Sequence, residues 1–364
     1  MAFLIFLLIP IAGLSFVSWH VWHVFPLPVV LKWTVVLLCW LCFLLLFVSV
    51  GGFINRLPMP LATTLYEVST SSIFVLLYAF MLFLLLDIGR LFRLIPKSWL
   101  YNNWFTAIAV VLVLVGIFIY GNHNYMRKVR QPIEITTDKN IKKDLRLVLV
   151  SDLHLGYHNR GNELKRWVEM INQEQADAVL IAGDIIDSSV RPLRSDSMDV
   201  ILRQINAPVY ACMGNHEFYA GVADAISFYN DAEITLLRDE SVVTRYGLCV
   251  IGRDDRTNKR RQSVSKLVEK ELSDNFILLL DHQPYNLEEA QKAKVDFQLS
   301  GHTHRGQVWP ISWITDAIYE CSFGQWQKGN THYYVSSGLG IWGGKYRIGT
   351  RSEYIVLTIK KRRE

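Results

Sequence analysis

Leu145-Arg146-Leu147-Val148-Leu149-Val150-Ser151-Asp152-Leu153-His154 decides the fold. A short apolar run meets a sharp polar edge, and a carboxylate and an imidazole follow at once. Such a run, bounded by polar residues, is the pattern of a buried strand. The pattern recurs along the chain. Ala178–Ala182 precedes Gly183-Asp184-Ile185-Ile186-Asp187, and Val209–Met213 precedes Gly214-Asn215-His216-Glu217. Phe276–Leu280 precedes Asp281-His282, and Val295–Leu299 precedes Gly301-His302-Thr303-His304. In open α/β sheets, groups beyond the carboxyl ends of the strands border a common crevice. These polar groups are therefore expected to converge.

Further strands are expected at Val242–Thr244, Leu248–Ile251, Thr331–Ser336 and Tyr354–Ile359, and helices at Glu163–Gln175, Val222–Tyr229, Val264–Glu271 and Leu287–Lys294. In the first helix Leu164, Trp167, Val168 and Ile171 recur at intervals of three or four, which gives it an apolar side. So many strands do not fit one narrow sheet. Two packed sheets flanked by helices do.

The polar groups have the chemistry of a two-metal centre. In Asp152-Leu153-His154 an extended backbone would turn both polar side chains one way and Leu153 into the core. Asp184 has two oxygens and can bridge two cations. Asp152, His154, Asp184 and His304 would form one site, and Asp184, Asn215, His282 and His302 the other. This mixed oxygen and imidazole set suits Mn, Fe, Zn, Co or Ni better than Ca or Mg. Such a pair of divalent or trivalent ions acidifies water and neutralises both the attacking and the leaving oxygen of a phosphoester. His216, beside a ligand yet not needed as one, is the candidate proton donor to the leaving oxygen. Asp184 and His216 are thus the candidate catalytic residues. Asp187 and Glu217 either orient these ligands from behind or cap the segments that follow.

In order and spacing these motifs resemble the calcineurin-like metallophosphoesterases, whose pattern runs Asp-x-His, Gly-Asp-x-x-Asp, Gly-Asn-His-Asp/Glu, His and Gly-His-x-His. The resemblance covers roughly residues 144–364. It implies the same ligand assignment, a catalytic role for His216, and a four-layer α/β/β/α fold. Ser151-Asp152-Leu153-His154-Leu155-Gly156 and Ser336-Ser337-Gly338-Leu339-Gly340 resemble the membrane-associated, YkuE-type branch in particular. That branch continues Gly-His-Thr-His with Gly-Gly-Gln, whereas this chain has Arg305-Gly306-Gln307. Arg305 is either a clamp for a substrate phosphate or a surface replacement. Trp309 and Trp313 belong to an unusually apolar segment, with Ile311, Ile314, Ile318, Phe323 and Trp326, that either covers the core or offers a wall to an acyl chain.

The N-terminal part is of another kind. Phe3–Val24, Val29–Val50, Ile73–Ile88 and Trp104–Tyr120 are apolar stretches nearly free of charge. A spanning helix needs about 20 such residues, and about 17 at the least. An all-α membrane domain of four spans is expected over residues 1–125, a basic juxtamembrane linker over 126–143 and the catalytic domain over 144–364. Trp19, Trp22, Trp33, Trp40, Trp99, Tyr101 and Trp104 include candidate interface anchors. Four spans place the N-terminus and the catalytic domain on one face. Arg56, Arg127, Lys128 and Arg130 on that face are matched by Lys32, Arg90, Arg93 and Lys97 opposite, so charge does not choose an orientation. Asp87 is read as a helix-end residue near Arg90.

The net charge of +5 and pI of about 8.8 suit anionic surfaces such as phospholipid heads. No basic stripe with interleaved aromatics points to nucleic acid. Arg253, Arg256, Lys259, Arg260 and Arg261 read as a solvated loop or as a contact for anionic headgroups. Cys39 and Cys42 lie in an apolar run and read as small hydrophobes, and Cys212 and Cys249 sit in strand-like runs, so the cysteines do not point to a thiolate zinc site. The expected whole is a multi-pass cell-membrane protein using two metal ions, Mn, Fe or Zn, to hydrolyse a phosphoester or pyrophosphate of a phosphorylated or lipid-linked small substrate. The alternatives are a non-catalytic membrane regulatory or binding protein that keeps a metal core, and a transporter with an accessory soluble domain.

Overall fold

A computed structural model describes residues 2–269 and 274–362, with side chains from residue 8 onward. The chain forms two compact units. One runs to His123 and includes Gly343–Tyr346, and the other comprises Asn124–Trp342 and the chain from Arg347 onward.

The first unit is built from α1 (Ala2–Val24), α2 (Val29–Val50), α3 (Met59–Leu91) and α4 (Trp104–Met126), the last of which runs on past His123. Three of them, α2, α3 and α4, are long and apolar enough to cross a membrane, and α1 is apolar over Leu8–Val24. The expected span from Phe3 begins outside the residues whose side chains are described. The apolar surface of these helices faces outward: Val30, Leu37, Leu85 and Leu112 are all well exposed. That is the reverse of a water-soluble helix and fits a hydrocarbon surround. Some polar groups turn inward, Ser49, Ser69 and Thr70 among them. Ser49 and Ser69 hydroxyls lie 2.8 Å apart. Asp87 lies near the C-terminal end of α3, three residues before Arg90, and its carboxylate is 3.1 Å from Nε2 of the buried His20. A buried imidazole in an apolar bundle needs a polar group beside it.

The second unit contains two six-stranded sheets. Its strands are β1 (Lys128–Thr137), β2 (Leu145–Val150), β3 (Ala178–Ala182), β4 (Val209–Cys212), β5 (Thr235–Leu236), β6 (Glu240–Val243), β7 (Leu248–Gly252), β8 (Phe276–Leu280), β9 (Phe297–Ser300), β10 (Gly324–Lys328), β11 (Thr331–Val335) and β12 (Ser352–Lys361). The sheet orders are β1-β12-β2-β3-β4-β5 and β10-β11-β9-β8-β7-β6. The helices are α5 (Gly161–Gln173), α6 (Arg191–Ser195), α7 (Met198–Leu202), α8 (Asn215–Ala220), α9 (Val222–Asp231), α10 (Val264–Val268), α11 (Glu288–Lys292) and α12 (Ile311–Ile318). Lys270 and Glu271, the end of one expected helix, lie outside the described residues.

Strand alternation builds the core. Leu145, Leu147 and Leu149 join Leu180, Val250, Leu278, Leu280 and Leu299 in a cluster drawn from both sheets. Val148 and Val150, pointing the other way, join Leu164, Trp167, Leu202 and Phe228 from α5, α7 and α9. Cys249, Ile277 and Leu279 likewise meet Val264, Leu267 and Ala290 from α10 and α11. Each fully buried leucine contributes about 1.5–3 kcal/mol relative to exposure.

The segment expected as a linker is largely strand β1, paired in parallel with β12 from Lys128↔Ser352 to Thr137↔Lys361. Its charges and Pro132 hide a period-two pattern in which Ile133, Ile135 and Thr137 are buried. β1 is an edge strand, where a proline without an amide proton is tolerated.

Candidate metal centre

The polar clusters leave the strands at one end. Asp152 and His154 follow β2, Asp184 and Asp187 follow β3, Asn215 and His216 follow β4, His282 follows β8, and His302 and His304 follow β9. Both sheets therefore contribute.

The convergence is close. Ligand atoms of Asp152, His154 and His304 lie within 4.8 Å of one another, as do those of His154, Asp184 and His216, and those of Asp184, His282 and His302. Asp184 thus belongs to the His216 and the His282 groups, and His154 links the first of these to Asp152 and His304. One of its oxygens lies 3.1 Å from His282 Nε2 and 3.7 Å from His154 Nε2. Asp152 Oδ1 lies 3.6 Å from His304 Nε2 and 3.8 Å from His154 Nε2. The buried Asn215 Oδ1 has no hydrogen-bond partner among the described residues. Buried polar atoms are seldom left so, and a cation is the partner that would satisfy it. The residues present therefore fit a metal pair.

The backbone is bent to reach this arrangement. Asp152 (φ 53°), His154 (45°), Asp184 (53°), His302 (70°) and His304 (47°) all take left-handed conformations. Asp152 and His154 are therefore not extended, and their convergence comes from two successive left-handed turns of the chain. Asp and His tolerate that region better than most residues, at a cost of about 1–3 kcal/mol each.

Supporting contacts fix the rings. His282 Nδ1 donates to Ala182 O at 2.7 Å, which leaves Nε2 to face Asp184. His216 Nδ1 donates to Asp187 O at 2.6 Å. Asp187 Oδ1 lies 3.2 Å from His154 Nδ1. The buried Glu217 accepts from the backbone N–H groups of Asp184 (3.1 Å), Ile186 (3.0 Å) and Gly214 (2.7 Å). Its bond to Gly214 N caps the start of α8 from one side, since Gly214 has no side chain to return the contact.

The imidazoles divide in protonation. Burial opposes charge on His154, but hydrogen bonds to Asp152 and Asp187 outweigh it and raise its pKa to about 10. His282 is raised in the same way, against burial, by Asp184. Burial, and then the His282 charge, lower His302 to about 4. Burial is also the main cause that lowers His304 to about 3. Asp152 and Asp184 are held low, against burial, by the surrounding histidines.

Several residues lie outside what the sequence suggested. Arg253 is buried and pairs with Asp281 at 3.1 Å and Glu289 at 2.8 Å, and Arg261 pairs with Asp281 at 3.0 Å. These two are not a solvated loop: they neutralise the buried carboxylate next to His282. Arg256 stacks on the Tyr285 ring at 3.9 Å, and Lys259 and Arg260 stay exposed. The Arg305 guanidinium lies 4.7 Å from the Phe323 ring. Trp309 and Trp313 rings meet edge to face at 5.3 Å. Trp313, Ile314 and Ile318 on α12 are largely exposed, so this segment does not cover the core.

Residues 145–306 match the family model described as calcineurin-like phosphoesterase. A protein of Helicobacter pylori (strain J99) described as an uncharacterized metallophosphoesterase is 30% identical over 262 residues, covering 70% of each chain. A transmembrane protein with metallophosphoesterase domain from Danio rerio is 28% identical over 356 residues, 89% of this chain and 81% of the relative. YkuE of Bacillus subtilis, described as an uncharacterized metallophosphoesterase, is 29% identical over 288 residues, 71% of this chain and 96% of the relative.

Proposed function

The chain belongs to the calcineurin-like metallophosphoesterases, and from that membership we propose that it cleaves the phosphoester or pyrophosphate of a lipid-linked substrate at a bilayer. It is a metal-dependent hydrolase carried by apolar, membrane-spanning helices. The finer reading gives it four spans, a four-layer α/β/β/α catalytic domain and a place in the YkuE-type branch.

One observation carries the assignment: Asp184 is shared between the His154/His216 and the His282/His302 clusters, and His154 joins the first of them to Asp152 and His304. In this reading Asp152, His154, Asp184 and His304 hold one cation, and Asp184, Asn215, His282 and His302 the other. The oxygen and imidazole set favours Mn, Fe or Zn. Bound there, the pair would supply an acidified water and neutralise charge at phosphorus. The protein's own part is to position and to move a proton. The Nδ1 proton of His216 is committed to Asp187 O. In the imidazolium form, its Nε2 would carry a second proton and give it to the leaving oxygen as general acid. Asp187 holds His154 and His216 together, and Glu217 fixes the Asp184 turn. Arg305 would meet the substrate's phosphate, with Trp309 and Trp313 along its apolar part. The lipid-linked substrate is supported by the exposed apolar face of α12, five residues after the His304–Gly306 turn.

The test is hydrolysis by the full chain in phospholipid vesicles. Phosphate release from lipid-linked and from water-soluble phosphoesters is followed with and without added metal. The wild type is expected to turn over only with metal and to prefer the lipid-linked compounds. Asp184→Asn should lose about a thousandfold or more in rate, about 4 kcal/mol of barrier. His216→Ala should lose about 10²–10⁴-fold with metal still bound. Equal, background-level release from all three would make the chain a non-catalytic metal-holding protein. Equal rates on soluble and lipid-linked compounds would remove the lipid preference alone.

A further inference from the structure

We infer that Arg347 is a positioning residue for one half of the metal centre, tying the turn behind Asp152 to the turn that carries His304. This rests on the ligand assignment proposed above. The Arg347 side chain is completely buried. Its Nη1 donates to His304 O at 2.8 Å, its Nη2 to Gly340 O at 3.1 Å and to Ser337 O, and its Nε to Ser352 Oγ at 3.3 Å. All four partners are uncharged oxygens. A buried guanidinium with no carboxylate hydrogen-bonded to it among the described residues is costly, and an apolar side chain would serve packing better. What this arginine adds is geometry, because its planar fork fixes several acceptors at once.

The acceptors belong to the two turns that matter. Gly340 N donates to Asp152 O and Leu339 N to Ser151 O, each at 3.0 Å. A side chain at Gly340 would stand 2.1 Å from Leu153 O, so the Ser337–Gly340 turn presses directly on the Asp152 backbone. On the other side, His304 is left-handed, at φ 47°. Its carbonyl accepts from Gln307 N at 3.0 Å within its own turn and has a second lone pair free for a donor from outside it. Arg347 supplies that second donor and grips the Gly340 turn with the same fork. Asp152 and His304, which would share one cation, are thereby set at a fixed separation. The opposite half does without it, since His282 is held by Ala182 O and Asp184 by Glu217.

The inference predicts an asymmetric defect. The full chain in detergent micelles is loaded with Mn(II), bound metal is counted by mass spectrometry, and the ions are examined by electron paramagnetic resonance. The wild type should bind a coupled pair. Arg347→Met should keep the ion on the Asp184, His282 and His302 side and bind the other about 10–100-fold more weakly. The coupled signal is then replaced by that of an isolated ion. Arg347→Lys, which keeps the charge but not the fork, should remain weaker than wild type. Wild-type affinity for both ions in Arg347→Met, or full recovery in Arg347→Lys, overturns the inference. If Arg347→Met does not fold, Ser352→Ala removes only the Nε contact. It should weaken the same ion severalfold at unchanged thermal midpoint, and no shift overturns the inference. A wild type that binds no coupled pair overturns the ligand assignment, and this inference with it.

Discussion

Behind the Asp184 side of the centre lies a buried carboxylate, Glu217, that accepts from three backbone N–H groups. Behind the Asp152 and His304 side lies a buried guanidinium, Arg347, that donates to three backbone carbonyls. The two charges answer opposite needs. The chain leaving β3 and β4 turns its amides inward, so an acceptor must meet them. The turns at His304 and at Ser337–Gly340 turn their carbonyls inward, so a donor must. Left-handed ligand residues break the sheet ladders that would otherwise satisfy these groups. The comparison teaches that a fully buried charge beside a reactive centre can serve the backbone that aims the ligands rather than the substrate.

The larger way to break this comparison is at Glu217. Glu217→Gln keeps the size but replaces one acceptor oxygen with an NH2 group that cannot accept from backbone amides. It should weaken metal binding by about 10–100-fold, most at the ion shared by Asp184 and His282, which is the mirror image of the Arg347 defect. Titration calorimetry with Mn(II) reads this. Equal weakening of both ions would dissolve the distinction between the halves.

A smaller effect sharpens it. His154, at about 10, and His282, well above its ordinary value, carry protons at neutral pH, while His302, at about 4, and His304, at about 3, do not. An imidazole must be neutral to bind a cation. Each half therefore has one proton to displace, and affinity for both ions should rise with pH through neutrality. Calorimetry in buffers of different ionisation enthalpy should show about two protons released per chain. Release of none, or affinity that falls as pH rises, would contradict the assignment.

Much of this was legible in the sequence. Ala178–Ala182 and Phe276–Leu280 have the bounds read from their unbroken apolar runs, because strands buried on both faces leave no polar ambiguity, and Leu145–Val150 has its bounds too although the exposed Arg146 interrupts the run. The ligand set was legible because Asp, Asn and His gather where those runs end. The edge strands were not. β1 carries charges and Pro132, and β10 is largely exposed, so neither has an apolar run. The left-handed turns were invisible because backbone conformation at Asp or His leaves no mark on residue identity. Arg347 was missed for the same reason as the His20–Asp87 pair: each gains its meaning from a partner distant in the chain. The basic run at 253–261 misled in part, since a local cluster of charge does not tell which members face a buried carboxylate.

The central claim is that Asp184 stands between two cations, and X-ray absorption by the manganese-loaded, full-length wild type tests it most directly. Metal-to-metal scattering at about 3.5–4 Å, with mixed oxygen and nitrogen neighbours, is the predicted result. Isolated ions with no metal neighbour at that range would contradict it.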